Sequence, residues 1–420
     1  MDAHPIRISV DDNLRRSRLT VFFRLLLAIP HLIWVALWTV VALLAAVVNW
    51  FAVLITTRTP RPFHRFLSAY VRYTTQVGAF LWLTANPFPG FVGDNRYPVA
   101  VEIAEPQPQR RLVTLFKIVL VVPALLLAAI IGGGLTFGGG WGDLAAVAAF
   151  LGWFAALVTG RMPRGLRNLG VWSLGYGAQL SAYLLSLTDR YPNSDPNEHV
   201  LEPAPERSVR LALEDDGRRS RLTVFFRFLL AIPHLIVLSL WVYAVYLAAF
   251  VGWIAALVIG RLPDPLHRFI AAYVAYAAQV YAYLFLIANP VPGFVVQSYP
   301  LLVTIDPPAR QHRLVTLFRL VLALPAFLIA LALAYLLFVV AFLGWFAALA
   351  TGRMPTGMRN AGAAAIRYMS QTYAYMLLLT PQYPHSCPTL PAPAPAEPER
   401  EPVPYAEPYI SPPPEPEAAA

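Results

Sequence analysis

Four basic residues stand where a charge is expensive. Arg24, Lys117, Arg227 and Arg319 each sit several residues inside a long apolar stretch, at the same distance from its start. A cation in that setting either snorkels along its aliphatic stem to lipid headgroups or holds an anionic lipid or solute. His31 and His234 follow a proline in two of the stretches. An imidazole there could bind a ligand, relay a proton or make a packing hydrogen bond. Gln76, Gln179, Gln279 and Gln371 recur further along, where a side-chain amide ties two helices together or meets a polar solute. These ten residues are the candidate lipid or solute contacts.

No constellation for catalysis accompanies them. The glycines at 132–140 lack the Gly-Lys-Ser/Thr of a phosphate loop, and there is no Gly-x-Ser-x-Gly elbow or His-Glu-x-x-His helix. Cys387 is the single cysteine, which excludes an intramolecular disulfide and a cysteine-based metal cluster. No catalytic residue, cofactor or metal is expected.

The elements that must position the ten residues follow from composition. Hydrophobic residues make up 58% of the 420 and charged residues 13%, too few charges to cover a soluble surface. Residues 25–57, 228–260 and 320–352 carry no Asp, Glu, Lys or Arg, and residues 118–142 form a fourth such run. A membrane span needs about 20 apolar residues. The net charge of +9 comes from arginines flanking these runs, where the positive-inside rule puts them, so nucleic acid is not an expected partner. The N-terminus lacks a signal-peptide pattern, and the first apolar run is expected to direct insertion.

The chain repeats. RLTVFFRLLLAIPH at 18–31 returns as RLTVFFRFLLAIPH at 221–234, and NPFPGF at 86–91 returns as NPVPGF at 289–294. A diverged pair interleaves: RLVTLFK at 111–117 and RLVTLFR at 313–319, each followed by FLGWFAAL and TGRMP. The expected modules are 4–97 and 207–299 of one type, and 98–195 and 300–386 of the other. Each opens on an alternating stretch with strand periodicity: Ile6–Val10, Val99–Ile103, Val209–Leu213 and Leu301–Ile305. Strands cannot leave open edges in lipid, so these four belong outside the hydrocarbon, pairing in one small sheet.

Each apolar run is about twice the length of a span. The second carries ten extra residues, including GGGLTFGGGWGD at 132–143, and an insertion tolerated at mid-run marks a turn. The expectation is a helical hairpin per module, 19–37 and 39–57 in the first, its prolines kinking the first helix. The other cut makes 19–30 interfacial, 31–57 a span and 63–85 the return. The arginine distribution favours the hairpin, and both cuts give eight crossings with cytoplasmic termini. The third segment, 62–85, carries a polar stripe that either lies along the interface or is buried in the bundle. Residues 387–420, rich in Pro, Glu and Ala, read as a disordered tail.

With these motifs assembled, the string FFRLLLAIPH, a Trp-containing run, TGR-x-P and a YP or PGF ending resembles the DUF4389 family. The resemblance covers roughly 4–386 and implies a bacterial, commonly actinobacterial, inner-membrane protein; it implies no activity or ligand. The second-type modules depart from it in lacking the histidine after the proline. The expected fold is thus an all-α polytopic membrane protein with short extramembrane strands, in four tandem modules. The expected function is non-enzymatic, a scaffold or lipid- and partner-binding protein. Its partners would be membrane lipids and a cytoplasmic protein docked on the proline-rich tail. A transporter or channel is the alternative, and a lipid-acting enzyme comes third.

Overall fold

A computed structural model describes residues 4–93, 96–132, 143–294 and 299–390. The first module runs β1 (Ile6–Val10), α1 (Arg18–Phe22), α2 (Arg24–Thr56) and α3 (Arg61–Leu81). The second runs β2 (Val99–Ile103), α4 (Arg111–Leu115), α5 (Lys117–Leu120), α6 (Val122–Ile131), α7 (Leu144–Thr159) and α8 (Arg164–Leu184), followed by a single turn, α9 (Pro196–His199). The third repeats the first as β3 (Val209–Leu213), α10 (Arg221–Phe225), α11 (Arg227–Ile259) and α12 (Asp264–Leu284). The fourth has β4 (Leu301–Ile305), α13 (Arg313–Leu317), α14 (Arg319–Thr351) and α15 (Thr356–Met376). The chain is a mostly helical membrane protein; α2, α11 and α14 are each long and apolar enough to cross a membrane.

Three expectations need correction. The expected hairpin with a turn near Trp38 is absent: α2 is one helix of 33 residues that carries Pro30 inside it. Its neighbours explain why. Nothing between Ala36 and Thr56 breaks a helix, and Trp38 packs on Tyr70 and Tyr73 of α3 rather than turning away. The chain bends earlier, at Phe23, where α1 hands over to α2. The ten-residue insertion falls between the end of α6 at Ile131 and the start of α7 at Leu144. Gly132 and Asp143 meet at its base, so closely that a Cβ on Gly132 would lie 2.5 Å from the Asp143 carboxyl carbon. Asp143 then caps α7 by accepting from the Ala146 amide at 2.7 Å. Both α6 and α7 pack on α8 and α14. The inserted residues 133–142 lie outside the described residues, as does the tail from 391.

The strands fall where period two placed them, but they form two antiparallel pairs, β1 with β2 and β3 with β4, not one sheet. Pairing stays within each half because neighbouring modules clasp each other. Trp50 of α2 donates to Thr114 O of α4 at 2.7 Å, and Trp153 of α7 donates to Val21 O of α1 at 3.0 Å. Trp253 and Trp345 repeat the exchange in the second half.

Each half is layered. A sheet lies on the pair of third helices, its inward residues Ile6, Ile8, Val99 and Val101 buried. The long helices cover the other side, and α8 is buried over almost its whole length. The polar stripe of the third segment runs inward from an exposed Arg65 to a buried Ser68 and Gln76. The outer faces of the long helices stay apolar and bare: Leu26, Val40, Leu44 and Ile55 are all more than 60% exposed or nearly so. Between the halves, α6 and α7 pack on α14. Residues 387–390, assigned by composition to the tail, are packed, with Cys387 buried and within hydrogen-bond reach of Asn168 at 3.3 Å.

Candidate functional site

The four inset cations turn inward. Arg24 is 2% exposed and donates to Phe80 O at 2.6 Å and Ala85 O at 3.3 Å, with its guanidinium 4.4 Å from the Phe80 ring centre. Arg227 repeats this on Tyr283 O and Ala288 O, and Arg319 on Tyr375 O and Thr380 O. Lys117 reaches Thr188 O at 3.0 Å and lies over Tyr183. Each cation thus meets the carbonyls at the end of the third helix, where the helix dipole is negative. Sequence reasoning pointed these side chains at headgroups because burial cannot be read from one chain.

A second donor works beside each cation. After every third helix one residue adopts a left-handed conformation without being glycine: Leu83, Ser186, Leu286 and Leu378. That conformation is costly for an L side chain. Its carbonyl accepts from Arg16 at 2.9 Å, Gln109 at 2.7 Å, Arg219 at 2.9 Å and Gln311 at 2.5 Å, respectively. The two arginines are balanced by Asp12 and Asp215, each at 2.8 Å and almost fully buried. These six residues went unnoticed in the sequence, although the donor always stands eight residues before its inset cation.

The histidines and glutamines are likewise spent inside the fold. His31 shares a 2.7 Å hydrogen bond with the Tyr73 hydroxyl and stacks on Phe91; His234 does the same with Tyr276 and Phe294. In the second module, where alanine replaces the histidine, Tyr176 donates instead to Ala124 O. Gln179 donates to Ile6 O and accepts from the Asn193 amide, and Gln371 repeats this on Val209 and His385. Gln76 and Gln279 are buried in the corresponding helices.

The second half contains a cleft of about 320 Å³, within the usual range for small-molecule sites. α11 contributes Ser239 and Tyr246, α12 contributes Tyr273 and Tyr281, and α15 contributes Ser370 and Tyr373; Leu337 of α14 closes one wall. Tyr246 and Tyr373 are exposed, marking an open side. The serines are occupied by their own helices, Ser239 on Ile236 O and Ser370 on Ile366 O, both at 2.8 Å. The tyrosines therefore supply the polar character. In the first half Tyr281, Met369 and Tyr373 have Gly78, Gly177 and Ser181 as counterparts. There α3 and α8 close on one another, burying Thr74, Thr75 and Ser181. In the second half these positions carry bulkier side chains, and those side chains line the space. None of the ten sequence-predicted contacts lines the cleft, and among the described residues its lining carries no carboxylate, amine or imidazole. It can hold an apolar chain and hydrogen-bond a neutral or anionic oxygen; it presents no acid–base pair.

A family model described as a domain of unknown function (DUF4389) matches residues 18–92, 111–194, 221–295 and 313–387. No curated protein and no solved structure matches the chain.

Proposed function

We infer that this chain, which belongs to the DUF4389 family, is a non-catalytic membrane protein whose second half holds one amphipathic lipid. The observation that carries this reading is the tyrosine-lined cleft. Its apolar walls suit a hydrocarbon chain, and its phenol hydroxyls suit an ester or phosphate oxygen. The reading keeps the chain as four modules over 4–97, 98–195, 207–299 and 300–386, with the first pair acting as a closed scaffold and the second as the binding half. Transport gains no support from the same geometry, because His31, Gln76 and Gln279 lie apart from the cleft lining.

The reading is tested by native mass spectrometry of the protein released from mild detergent. Wild type should retain one lipid per chain. A triple variant carrying the first half's residues, Tyr281→Gly, Met369→Gly and Tyr373→Ser, should lose it. Leu337→Trp, which fills the cleft without drawing the helices together, should lose it too. Retention of lipid at the wild-type level by both folded variants would refute the reading.

A further inference from the structure

We propose that the protein lies flat on a single leaflet of a phospholipid bilayer, with the layer of long helices sunk into it and the two sheets facing water. The long and third helices of a module run alongside each other in opposite directions. Arg24 meets Phe80, His31 meets Tyr73 and Thr39 meets Tyr70, so position falls on α3 as it rises on α2. Whatever angle α2 makes with the membrane, α3 makes too.

The strands fix that angle. They run beside the middle of the third helices rather than beyond their ends. On α3, His64 bonds Ala104 O at 3.0 Å and Arg72 bonds Val101 O at 3.2 Å. On α8, Gln179 bonds Ile6 O at 3.1 Å, and Gln371 of α15 repeats it on Val209 O. The outer side of each sheet carries solvent-facing ion pairs, Arg7–Glu102 and Arg210–Asp306. A two-stranded sheet also has two open edges. Upright, these charges and edges would stand at mid-bilayer, where each unsatisfied backbone group costs several kcal/mol. Laid flat, the same groups stand in water.

Two further observations agree. Arginines sit at both ends of the long helices: Arg18 donates to Val158 O at one end and Arg111 to Ile55 O at the other, with Arg221 and Arg313 repeating the pattern. An upright bundle would divide them between the two sides of the membrane, against the positive-inside rule, whereas a flat one puts them all at one headgroup layer. A 33-residue helix is also about 50 Å long, against a hydrocarbon core of about 30 Å. In the plane of the leaflet there is no mismatch to accommodate.

The test uses the full chain in sealed, uniformly oriented membrane vesicles and a membrane-impermeant maleimide. Single cysteines are placed on the sheet (Ser9→Cys) and at the two ends of the long-helix layer (Asn13→Cys and Arg58→Cys); native Cys387 is buried and serves as the background. The flat arrangement predicts that all three are labelled from one side and none from the other. Labelling of Asn13→Cys and Arg58→Cys from opposite sides would overturn it. Spin labels at Leu26, Val40 and Ile55, all on the exposed face of α2, give an independent reading of depth. Equal immersion of the three supports the proposal, and a Val40 label much deeper than the other two refutes it.

Discussion

The Arg24 guanidinium donates to the Phe80 carbonyl at 2.6 Å and so fastens the start of α2 to the end of α3. The same fastening recurs in every module, with Lys117 replacing arginine in the second. Removing it takes the charged donor from the buried Ala85 carbonyl and leaves Phe80 O with the Leu83 amide at 3.2 Å. Arg24→Met should therefore lower stability by about 2–3 kcal/mol. Arg24→Lys should cost less, because Lys117 already shows that an ammonium can reach the equivalent turn. Thermal unfolding in detergent micelles measures both; a Lys variant as unstable as the Met variant would contradict this account.

Arg16 works beside Arg24, and its charge is balanced by Asp12 with both side chains almost fully buried. Asp12→Ala leaves the guanidinium buried without its counter-charge, for an expected loss of about 3–5 kcal/mol. Asp215→Ala should behave alike in the second half. Loss of the local turn at Leu83 should appear in hydrogen exchange before global unfolding.

The halves exchange contacts at two matched glycines. A Cβ on Gly165 would meet the Ser386 side chain and lie 3.1 Å from the Cys387 amide; one on Gly357 would meet the Asn193 side chain and lie 3.0 Å from the Asp195 amide. Gly165→Ala and Gly357→Ala should each cost about 1–3 kcal/mol through overpacking. Faster hydrogen exchange should be confined to 384–390 in the first variant and to 193–199 in the second. Exchange spread evenly over both halves would argue that these contacts do not join them.

Much of this architecture was legible in the chain. Alternation placed β1 to β4 because a strand's two faces are read directly from period two. The repeat placed the modules and their recurring cations. The hairpin was misread because an apolar run without a breaker looks the same whether it turns or continues, and an insertion in one copy does not show that the other copies turn there. The donors Arg16, Gln109, Arg219 and Gln311 were visible only as a spacing of eight, which has no meaning until Leu83 and its counterparts are seen to need a donor. The cleft could not be read at all, since it depends on which faces of α12 and α15 oppose each other across about 90 residues.

Two histidines beside the sheets give the fold a pH dependence. His4 accepts from the Ile6 amide through Nδ1, and His385 accepts from the Cys387 amide in the same way. Burial lowers both to about 4, with Arg207 and Arg367 adding to the effect at His385. Both rings are therefore neutral in the folded chain at pH 7. In the unfolded chain they titrate near 6.5, so below that pH the unfolded state binds more protons. Their contribution is full above about 6.5 and is lost as pH falls toward 4. The melting temperature should drop between pH 7 and 4, and His4→Gln with His385→Gln should flatten the drop. An unchanged slope in the double variant would show that other groups control it.

The lipid-binding claim is tested most directly by mapping photocrosslinks from a phospholipid bearing a diazirine on its acyl chain, with the protein in nanodiscs. The account predicts adducts concentrated on peptides carrying Tyr246, Tyr281 and Tyr373, and their loss when Leu337→Trp fills the cleft. Adducts spread over the outer faces of α2 and α11 alone, unchanged by Leu337→Trp, would contradict it.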